Sequence, residues 1–466
     1  MENDAETEKE KKNKNNKVIV GSIICTLLVI YLGMATYFRT HFYFGTEINC
    51  VNVSAKTIKE AAKQMTSQME SYKLSLKEKS GKTEQITSTE INLKLSSNDE
   101  FKRLKDKQGS FNWIFGALDS KNSKLKANII YSNKLLQEKI NNLSCLDSKN
   151  IIEPKNPSFK YSSTGYVVLN EVNGNKIDKD VLYKNIVNAL STGTTTLNLD
   201  STNCYLKPKY TVKSKKTSEI KNILNKYVSS KIIYTFGDKK EVIDGSKINK
   251  WLNVDDNYEV VFDNSILTKY MRKLFSNYET IGKTRNFVTT SGNTISIGGG
   301  DYGWDINSSE DIQKLIDDIK NGRTVTREPI YLQTAASHSS DDIGNTYVEI
   351  DMVNQHLWFY KKGSLVTQGD VVTGNMSLNT STPAGVYRLK YKERNATLKG
   401  EGYASPVNFW MPFNGGIGIH DASWRSSFGG NIYLTSGSHG CVNAPYYLAQ
   451  TLYNNIDAGT PVVCYY

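Results

Sequence analysis

The chain has 466 residues, of which 38% are hydrophobic and 23% are charged, and its formal net charge is +11. This composition excludes a mostly disordered or fibrous chain, and the length predicts about three domains. The lysines are scattered and no basic helix is interleaved with aromatic residues, so we do not expect nucleic acid as a partner.

The N-terminal region predicts a membrane anchor. Residues 18–38 carry no charge and are long enough to cross a bilayer as a helix. The lysine-rich tail before them, residues 1–17, is expected to stay cytoplasmic by the positive-inside rule, which puts the rest of the chain outside. A cleaved signal peptide is the alternative, but the stretch is longer than a usual signal core and lacks an A-x-A-like exit. We therefore predict a single uncleaved transmembrane helix.

Five cysteines follow the predicted anchor: Cys50, Cys145, Cys204, Cys441 and Cys464. The number is odd, so at least one thiol stays free in a compartment where disulfides can persist. For the four other than Cys441, unpaired burial and disulfide formation are both open. If they pair, three connectivities are possible.

The middle of the chain contains an internal repeat. Residues 174–193 align without a gap with residues 303–322. In both segments the apolar positions fit one helix face, with Asp178 or Asn307 as the cap and a glycine at the end.

A second alignment supports the same repeat. It matches, in order, one set of apolar residues with another: Ile86, Ile91 and Leu95 with Ile243, Ile248 and Leu252. Each repeat is therefore predicted to be a small α+β unit with a β-rich start followed by helices. We place the two repeats at residues 45–206 and 207–334.

A polar stretch with glycine and serine, residues 335–345, predicts a linker. Beyond it, residues 346–466 are rich in strand-like runs separated by turns, which predicts a mainly β domain. One helix is expected at residues 445–456, capped by Asn443, and a last strand at residues 461–465.

Candidate catalytic residues cluster in this β domain. His420 ends the strand-like run GIGIH, and Ser438, His439 and Cys441 belong to the run SHGC. Catalysis by cysteine needs a thiolate, a base and donors for the oxyanion. Cys441 precedes the predicted helix, whose dipole would favour the thiolate. Gly440 permits a tight turn, and the amides of Gly440 and Cys441 are then candidate oxyanion donors.

The residues alone leave several alternatives open. Histidine and cysteine also bind zinc, but only three such ligands are present where a closed structural site takes four, so we expect no metal and no cofactor. A buried cysteine with satisfied histidines is the structural alternative. Either His420 or His439 can be the base, and Ser438 is either an orienting residue or a turn residue.

Sequence motifs in the C-terminal region resemble the L,D-transpeptidase catalytic domain, also called the YkuD domain. The resemblance covers residues 346–466 and is carried by IHDASWRSSFGG…SHGCVNAP, STPAGVY and the hairpin IDMVNQHLWFYKKGSLVTQGDVVTG. Through YETIGKTRNF and GGGDYGWDI, residues 45–334 are similar to peptidoglycan-binding repeats of Gram-positive wall enzymes. The resemblance implies a sandwich-like, mainly β catalytic domain after an anchor and two α+β repeats.

The resemblance also implies a two-step reaction. Cys441 attacks the carbonyl of the third residue in a stem tetrapeptide, D-Ala leaves, and the side-chain amine of a second stem takes the acyl group to give a 3→3 cross-link. His420 is implied as the base, with its ring held by the backbone carbonyl of Asp421. His439 is implied to position the substrate or the thiolate, and Gly440 and Cys441 to form the oxyanion hole.

Asn443 and Asp421 are expected among the substrate-binding residues, although the sequence departs from the family pattern at Asn443, where many members have arginine. Arg425 is expected as a substitute that binds a substrate carboxylate, with a surface cation as the alternative. Residues 391–410, which include Gly400 and Gly402, are expected to form either a lid or an ordinary long hairpin. Three tryptophans are expected in the core rather than on a substrate platform: Trp358, Trp410 and Trp424.

The expected function is that of a peptidoglycan transpeptidase on the cell membrane, with its C-terminal part in the cell wall. One alternative is an L,D-carboxypeptidase, in which water takes the same thioester. A wall-binding scaffold with an inactive C-terminal domain is the other, and the intact Cys441, His420 and Gly440 argue against it. The partners implied are peptidoglycan stem peptides and glycan, and a carbapenem is expected to acylate Cys441.

Overall fold

The structure, a computed structural model, describes residues 2–49, 51–96, 99–118, 124–126, 128–400 and 403–466. The predictions for Cys50 and Gly402 lie outside these residues. The chain forms two compact units. The first unit consists of Met1–Ser158 and Val168–Thr217, and the second of Phe159–Val167 and Ser218–Tyr466.

The first unit begins with helix α1 (Glu2–Tyr37). Among the residues that the structure describes, one helical segment, Lys11–Tyr37, is long and apolar enough to cross a membrane by length and composition. A signal sequence near the N-terminus would have the same character. The side chains of residues 11–30 are exposed, which is consistent with a helix that has no protein neighbour along this part.

Short strands and helices follow α1. They are β1 (Glu47–Ile48), β2 (Val51–Asn52), α2 (Ile58–Glu70), β3 (Lys73–Lys77), β4 (Thr83–Thr87), α3 (Ser88–Ile91), β5 (Lys94–Leu95), α4 (Asp99–Gln108), α5 (Trp113–Leu118), β6 (Lys124–Leu125), β7 (Ile129–Ile130), α6 (Asn133–Asn141), β8 (Ser158–Ser162), β9 (Gly165–Leu169), α7 (Lys179–Thr192) and β10 (Thr196–Asn198). Most of the β8–β9 hairpin belongs to the second unit.

The second unit opens with a similar series. Its elements up to residue 333 are α8 (Lys215–Val228), β11 (Lys231–Phe236), β12 (Lys239–Ile243), α9 (Gly245–Ile248), β13 (Leu252–Val254), β14 (Val260–Phe262), α10 (Asn264–Ser276), β15 (Arg285–Val288), β16 (Thr294–Ile297), β17 (Asp305–Ile306), α11 (Ser308–Lys320), β18 (Thr324–Arg327) and β19 (Tyr331–Gln333).

The two series confirm the predicted α+β repeats. In the first, β3 lies between its antiparallel neighbour β4 and its parallel neighbour β10. In the second, β11 lies in the same way between β12 and β18. The aligned isoleucines occupy equivalent places, because Ile86 and Ile243 are buried on β4 and β12, and Ile91 and Ile248 are buried in α3 and α9.

The helix caps predicted from the repeat are also present. The Asp178 side chain accepts hydrogen bonds from the first-turn amides of α7, and Asn307 accepts one from the Glu310 amide in α11. Gly193 ends α7 in the left-handed conformation that a side chain would disfavour.

The C-terminal part of the second unit is rich in strands. Its elements are β20 (Tyr347–Asp351), β21 (His356–Lys361), β22 (Ser364–Asp370), β23 (Gly385–Arg388), β24 (Glu393–Gly400), β25 (Tyr403–Asn414), β26 (Ile417–Asp421), α12 (Ile432–Ser436), β27 (Val442–Ala444), α13 (Tyr446–Asn455) and β28 (Pro461–Tyr465). One sheet has the order β22-β21-β20-β28-β23 and the other β24-β25-β26-β27.

These two sheets confirm the predicted sandwich-like, mainly β fold. Alternate side chains of both sheets meet in one core, where Val348, Phe359 and Val462 of the first sheet pack with Met411 and Ile419 of the second. Helix α13 covers the core with Leu448, Ala449 and Leu452. Strand β28 covers residues 461–465, as predicted for the last strand.

The predicted cap of the C-terminal helix is wrong. Pro445, not Asn443, precedes the first turn of α13. Asn443 lies on β27, which pairs in parallel with β26. The ladder between these strands holds residues 442–444 extended and delays the helix.

Candidate active site

His420 lies on β26, between two paired strands. Trp410 of β25 is opposite His420 on one side, and Asn443 of β27 is opposite on the other. The imidazole is 3% exposed, and its ring centroid lies 5.9 Å from that of Trp410 and 5.8 Å from that of Trp424. The sheet therefore fixes the ring in a largely apolar enclosure.

Both ring nitrogens of His420 have hydrogen-bond partners. Nδ1 lies 2.9 Å from the backbone oxygen of Asp421, and Nε2 lies 3.0 Å from Nδ2 of Asn443. Burial lowers the pKa of His420, and the hydrogen bond to the Asp421 carbonyl opposes that shift in part. The neutral imidazole is thus favoured.

Arg425 and Asn443 determine which nitrogen of His420 carries the proton. The guanidinium Nε donates to Oδ1 of Asn443 at 2.7 Å, and Nη1 donates to the backbone oxygen of Ser436 at 2.9 Å. Because a guanidinium only donates, Oδ1 must face Arg425 and the amide Nδ2 must face His420. The amide donates to Nε2, so the ring proton lies on Nδ1 and Nε2 keeps its lone pair.

The thiol of Cys441 lies at the start of β27. Its Sγ contacts the backbone oxygen of Gly416 at 3.7 Å, and the side chain packs against the buried cluster of Ala396, Val407 and Trp410. Burial raises the pKa of Cys441, and a hydrogen bond with the Gly418 backbone lowers it in part. The resting group is therefore a neutral thiol.

The expected effect of the helix dipole on this thiol is absent. Strand β27 and Pro445 separate Cys441 from the first turn of α13 at Tyr446. A helix terminus acts on charge within about one turn. The dipole of α13 therefore does not favour the thiolate of Cys441.

The turn before the thiol is closed by Ser438. Its hydroxyl donates to the Cys441 backbone oxygen at 2.5 Å and accepts from the Gly440 amide at 3.1 Å. Gly440 has φ +113°, and a Cβ at this position would lie 3.1 Å from the side chain of Ile417. The Gly440 amide can therefore reach an oxyanion only by leaving the Ser438 hydroxyl.

The thiol and the imidazole line one cavity of about 220 Å³. The full lining is Leu398, Ser405, His420, Trp424, Arg425, Gly437, Ser438, His439, Cys441 and Asn443. The fold thus brings together residues from β24, β25, β26, β27 and the loop that contains α12. The carboxylate of Asp421 does not line this cavity. It accepts hydrogen bonds from the backbone amides of Asn408 and Phe409.

Several lining residues were not found from the sequence. Leu398 and Ser405 reach the cavity because they are directly opposite each other in the β24–β25 hairpin. Trp424 was expected in the core, and this prediction is wrong, since the side chain is 52% exposed and lines the cavity. Trp410 is buried as expected.

The described cysteines Cys25, Cys145, Cys204, Cys441 and Cys464 are unpaired. Within the described ranges, no group of three or more His, Cys, Asp or Glu side chains could hold a metal ion. Of the four described cysteines that follow α1, Cys441 lines the cavity.

Two family models match the chain. The model of the L,D-transpeptidase catalytic domain matches residues 345–464, and the model of a peptidoglycan binding domain matches residues 84–198 and 210–327. A comparison with curated proteins found no match.

Solved structures of L,D-transpeptidases are similar in sequence. A cysteine-to-serine mutant of the Enterococcus faecium L,D-transpeptidase is 33% identical, covers 54% of this chain and 100% of its own, and has a TM-score of 0.45. The E. faecium catalytic domain acylated by ertapenem is 44% identical over 26% of this chain and 98% of its own, with a TM-score of 0.25. An L,D-transpeptidase from Mycobacterium smegmatis is 22% identical over 26% of this chain and 59% of its own, with a TM-score of 0.24.

Proposed function

The chain belongs to the L,D-transpeptidase family, and from this premise we propose that it forms 3→3 cross-links in peptidoglycan through a thioester on Cys441. One observation carries the assignment of residues: Cys441 and His420 line the same cavity. The thiol supplies the nucleophile, and the unprotonated Nε2 of His420 supplies the base.

In the first step, the Cys441 sulfur attacks the carbonyl carbon of the third stem residue while its proton passes to Nε2 of His420. The Asn443 amide must give up its contact with Nε2 as the proton arrives. Collapse of the tetrahedral intermediate breaks the peptide bond to D-Ala, and the proton on Nε2 passes to the leaving amine. The enzyme then holds a thioester, and His420 is neutral again.

Backbone amides near the thiol are the proposed oxyanion donors. The amides of Gly440 and Cys441 lie on either side of the Gly440 Cα, where the backbone has a positive φ. Exchange of the Gly440 amide from the Ser438 hydroxyl to the developing oxyanion would strengthen its hydrogen bond as charge forms.

In the second step, the side-chain amine of a second stem attacks the thioester. Nε2 of His420 takes a proton from the amine, the carbon–sulfur bond breaks, and the thiol is restored with that proton. Water in place of the amine would give the tripeptide of a carboxypeptidase. Arg425 is the proposed contact for a substrate carboxylate, because its guanidinium lines the cavity. Exposed His439 at the cavity rim is assigned to substrate positioning.

We also propose that α1 anchors the chain in the cell membrane and that the two repeats hold peptidoglycan close to the catalytic domain. The apolar helix and the peptidoglycan binding family matches support this arrangement. The lysines that precede residue 18 support a cytoplasmic N-terminus by the positive-inside rule.

Incubation of the purified protein with a disaccharide-tetrapeptide tests the reaction. We expect free D-Ala, a 3→3 dimer and a protein mass increase on Cys441, and an ertapenem adduct on the same residue. Cys441→Ala is expected to abolish all four of these results. Cys145 is a half-buried thiol outside the cavity, so Cys145→Ala should change none of them. Tripeptide without dimer would assign the carboxypeptidase reaction instead, and dimer formation by Cys441→Ala would refute the mechanism.

A further inference from the structure

An exposed apolar face lies beside the predicted membrane helix. It is formed by Phe111, Ile114 and Phe115, which are 63%, 41% and 79% exposed. Their spacing puts them on one side of α5 and the turn before it. Residues 109–118 contain no charged residue.

This segment is packed directly on α1. The Tyr31 hydroxyl donates to the Phe111 backbone oxygen at 2.7 Å. The Trp113 ring lies 6.3 Å from the Tyr31 ring and 5.9 Å from the Phe38 ring. Gly116, on the opposite side of α5 from the exposed face, abuts the ring of Tyr43.

The length of α1 determines the depth of these contacts. A bilayer core of about 30 Å requires roughly 20 helical residues, which uses the whole uncharged stretch from Val18 to Phe38. At 1.5 Å per residue, Tyr31 then lies roughly 10 Å inside the outer edge of the hydrocarbon. A helix confined to the exposed residues 18–30 would be about 20 Å long and too short to span.

We propose that Phe111, Ile114 and Phe115 form a second membrane contact that inserts into the outer leaflet beside α1. The occupant of this apolar face is lipid acyl chain, because the face continues the lipid-facing surface of the helix. The inferred depth is that at which amphipathic interfacial helices bury their apolar side, about 5–10 Å. Trp113 between the two elements fits the aromatic belt at membrane interfaces. The inference rests on the proposed anchoring by α1.

Depth-dependent quenching by brominated lipids tests this contact on the full chain in liposomes. The emission of Trp113 is obtained as the difference between the wild type and Trp113→Phe. We expect a loss of this emission with bromines on the outer half of the acyl chain and a smaller loss with bromines near the bilayer centre. In the Trp113→Phe background, Phe115→Trp moves the reporter to the exposed face, and its emission should be quenched more strongly.

Trp424→Phe is the matched control, because it removes a half-exposed tryptophan that lines the catalytic cavity. Its difference emission should be insensitive to brominated lipids. Equal insensitivity of the reporters at 113 and 115 in membrane-bound protein would overturn the proposal, and so would their protection in a dimer seen by native mass spectrometry. Cleavage within α1, or release of the protein by an alkaline wash, would instead refute the proposed membrane anchor. Formation of the 3→3 cross-linked peptide product is assayed separately and tests the catalytic proposal independently.

Discussion

Asn443 lies between a cation and an imidazole, and each neighbour requires a different atom of its amide. Arg425 can only donate, so it takes Oδ1, and Nδ2 is left for Nε2 of His420. The backbone carbonyl of Asp421 accepts a hydrogen bond from the protonated Nδ1 of His420. Through Asn443, a cation with no direct contact to the imidazole thereby keeps Nε2 of His420 unprotonated.

Arg425→Ala is expected to slow acylation of Cys441 by about 10-fold, less than the roughly 10²–10⁴-fold that a general base contributes. Without the guanidinium, the amide of Asn443 can rotate and the base loses its orientation. The measurement is the rate of ertapenem adduct formation by mass spectrometry. Arg394→Ala is the matched control, since Arg394 also donates to an asparagine oxygen, Oδ1 of Asn454, but does not line the cavity.

The pH dependence of acylation follows from the buried imidazole. His420, the proposed base, can accept a proton only when its imidazole is neutral, so the rate should rise with pH through its pKa. Because burial lowers that pKa, wild-type activity should persist below the ordinary histidine value of about 6.5. The positive charge of Arg425 also lowers the pKa of His420, so Arg425→Ala should shift the acidic limb to higher pH. A rate profile unchanged by the substitution would contradict this coupling.

Gly440 is expected to tolerate no side chain. At φ +113°, Gly440→Ala introduces backbone strain of about 1–3 kcal/mol and a Cβ 3.1 Å from Ile417. We expect loss of most acylation activity together with a lower unfolding midpoint. Gly416→Ala is the control, because a Cβ there meets nothing within 4 Å. If both variants acylate normally, the turn at Gly440 is not required.

At the residue scale, the sequence predicts Cys441 and His420 as catalytic residues, and the structure brings both to one cavity, but the sequence does not indicate what connects them to their surroundings. The run SHGC consists of neighbouring residues, so the sequence alone is enough to predict a reactive cysteine there. The link between Arg425 and Asn443 joins residues 18 positions apart, and it depends on the parallel pairing of β26 with β27. Trp424 shows the same limit, because whether an aromatic side chain faces a core or a cavity depends on strands distant in the sequence.

Secondary-structure elements were predicted best where their signals are local. The caps Asp178 and Asn307 and the stop at Gly193 were found because each acts on its own helix. Asn443 has the same capping chemistry, but pairing with β26 draws it into a strand. Hydrogen bonding between β26 and β27 thus overrides the local preference of Asn443 for a helix cap.

The cap of α7 gives a prediction for the first repeat. Asp178→Ala leaves two first-turn amides without their acceptor and should lower the free energy of unfolding by about 1 kcal/mol. Asp178→Asn keeps an acceptor oxygen and should retain most of that stability. Urea unfolding of the purified protein measures both, and equal loss in the two variants would mean that the cap is not the cause.

On the scale of the whole molecule, the second repeat and the catalytic sandwich share structure within one compact unit. Phe287 and Ile297 of the β15–β16 hairpin pack in one core with Val386 and Val463 of the sandwich. Residues 335–345, predicted as a linker from their polar composition, contain Asp342, which pairs with Arg285. The sequence could not indicate this pair, since its members are 57 residues apart.

Arg285→Ala should destabilise the second unit strongly. Both members of the pair are nearly inaccessible, with side chains 4% and 2% exposed, so removal of the cation leaves a buried carboxylate without its partner. The expected loss is about 3–5 kcal/mol. Lys176→Ala breaks the exposed pair with Glu153 and should cost at most about 1 kcal/mol. Similar unfolding midpoints for the two variants in urea would contradict the role of burial.

The position of β28 bears on when the enzyme becomes active. This last strand lies between β20, the first strand of the sandwich, and β23, so the sheet lacks an inner member until residues 461–465 are available. Contacts that join the two ends of a domain form late, because the intervening chain must first be closed into a loop. If the segment that follows α1 crosses the membrane in chain order, as the proposed anchoring implies, Cys441 would cross in an unfinished sandwich, and the reactive site would mature only after β28 has followed.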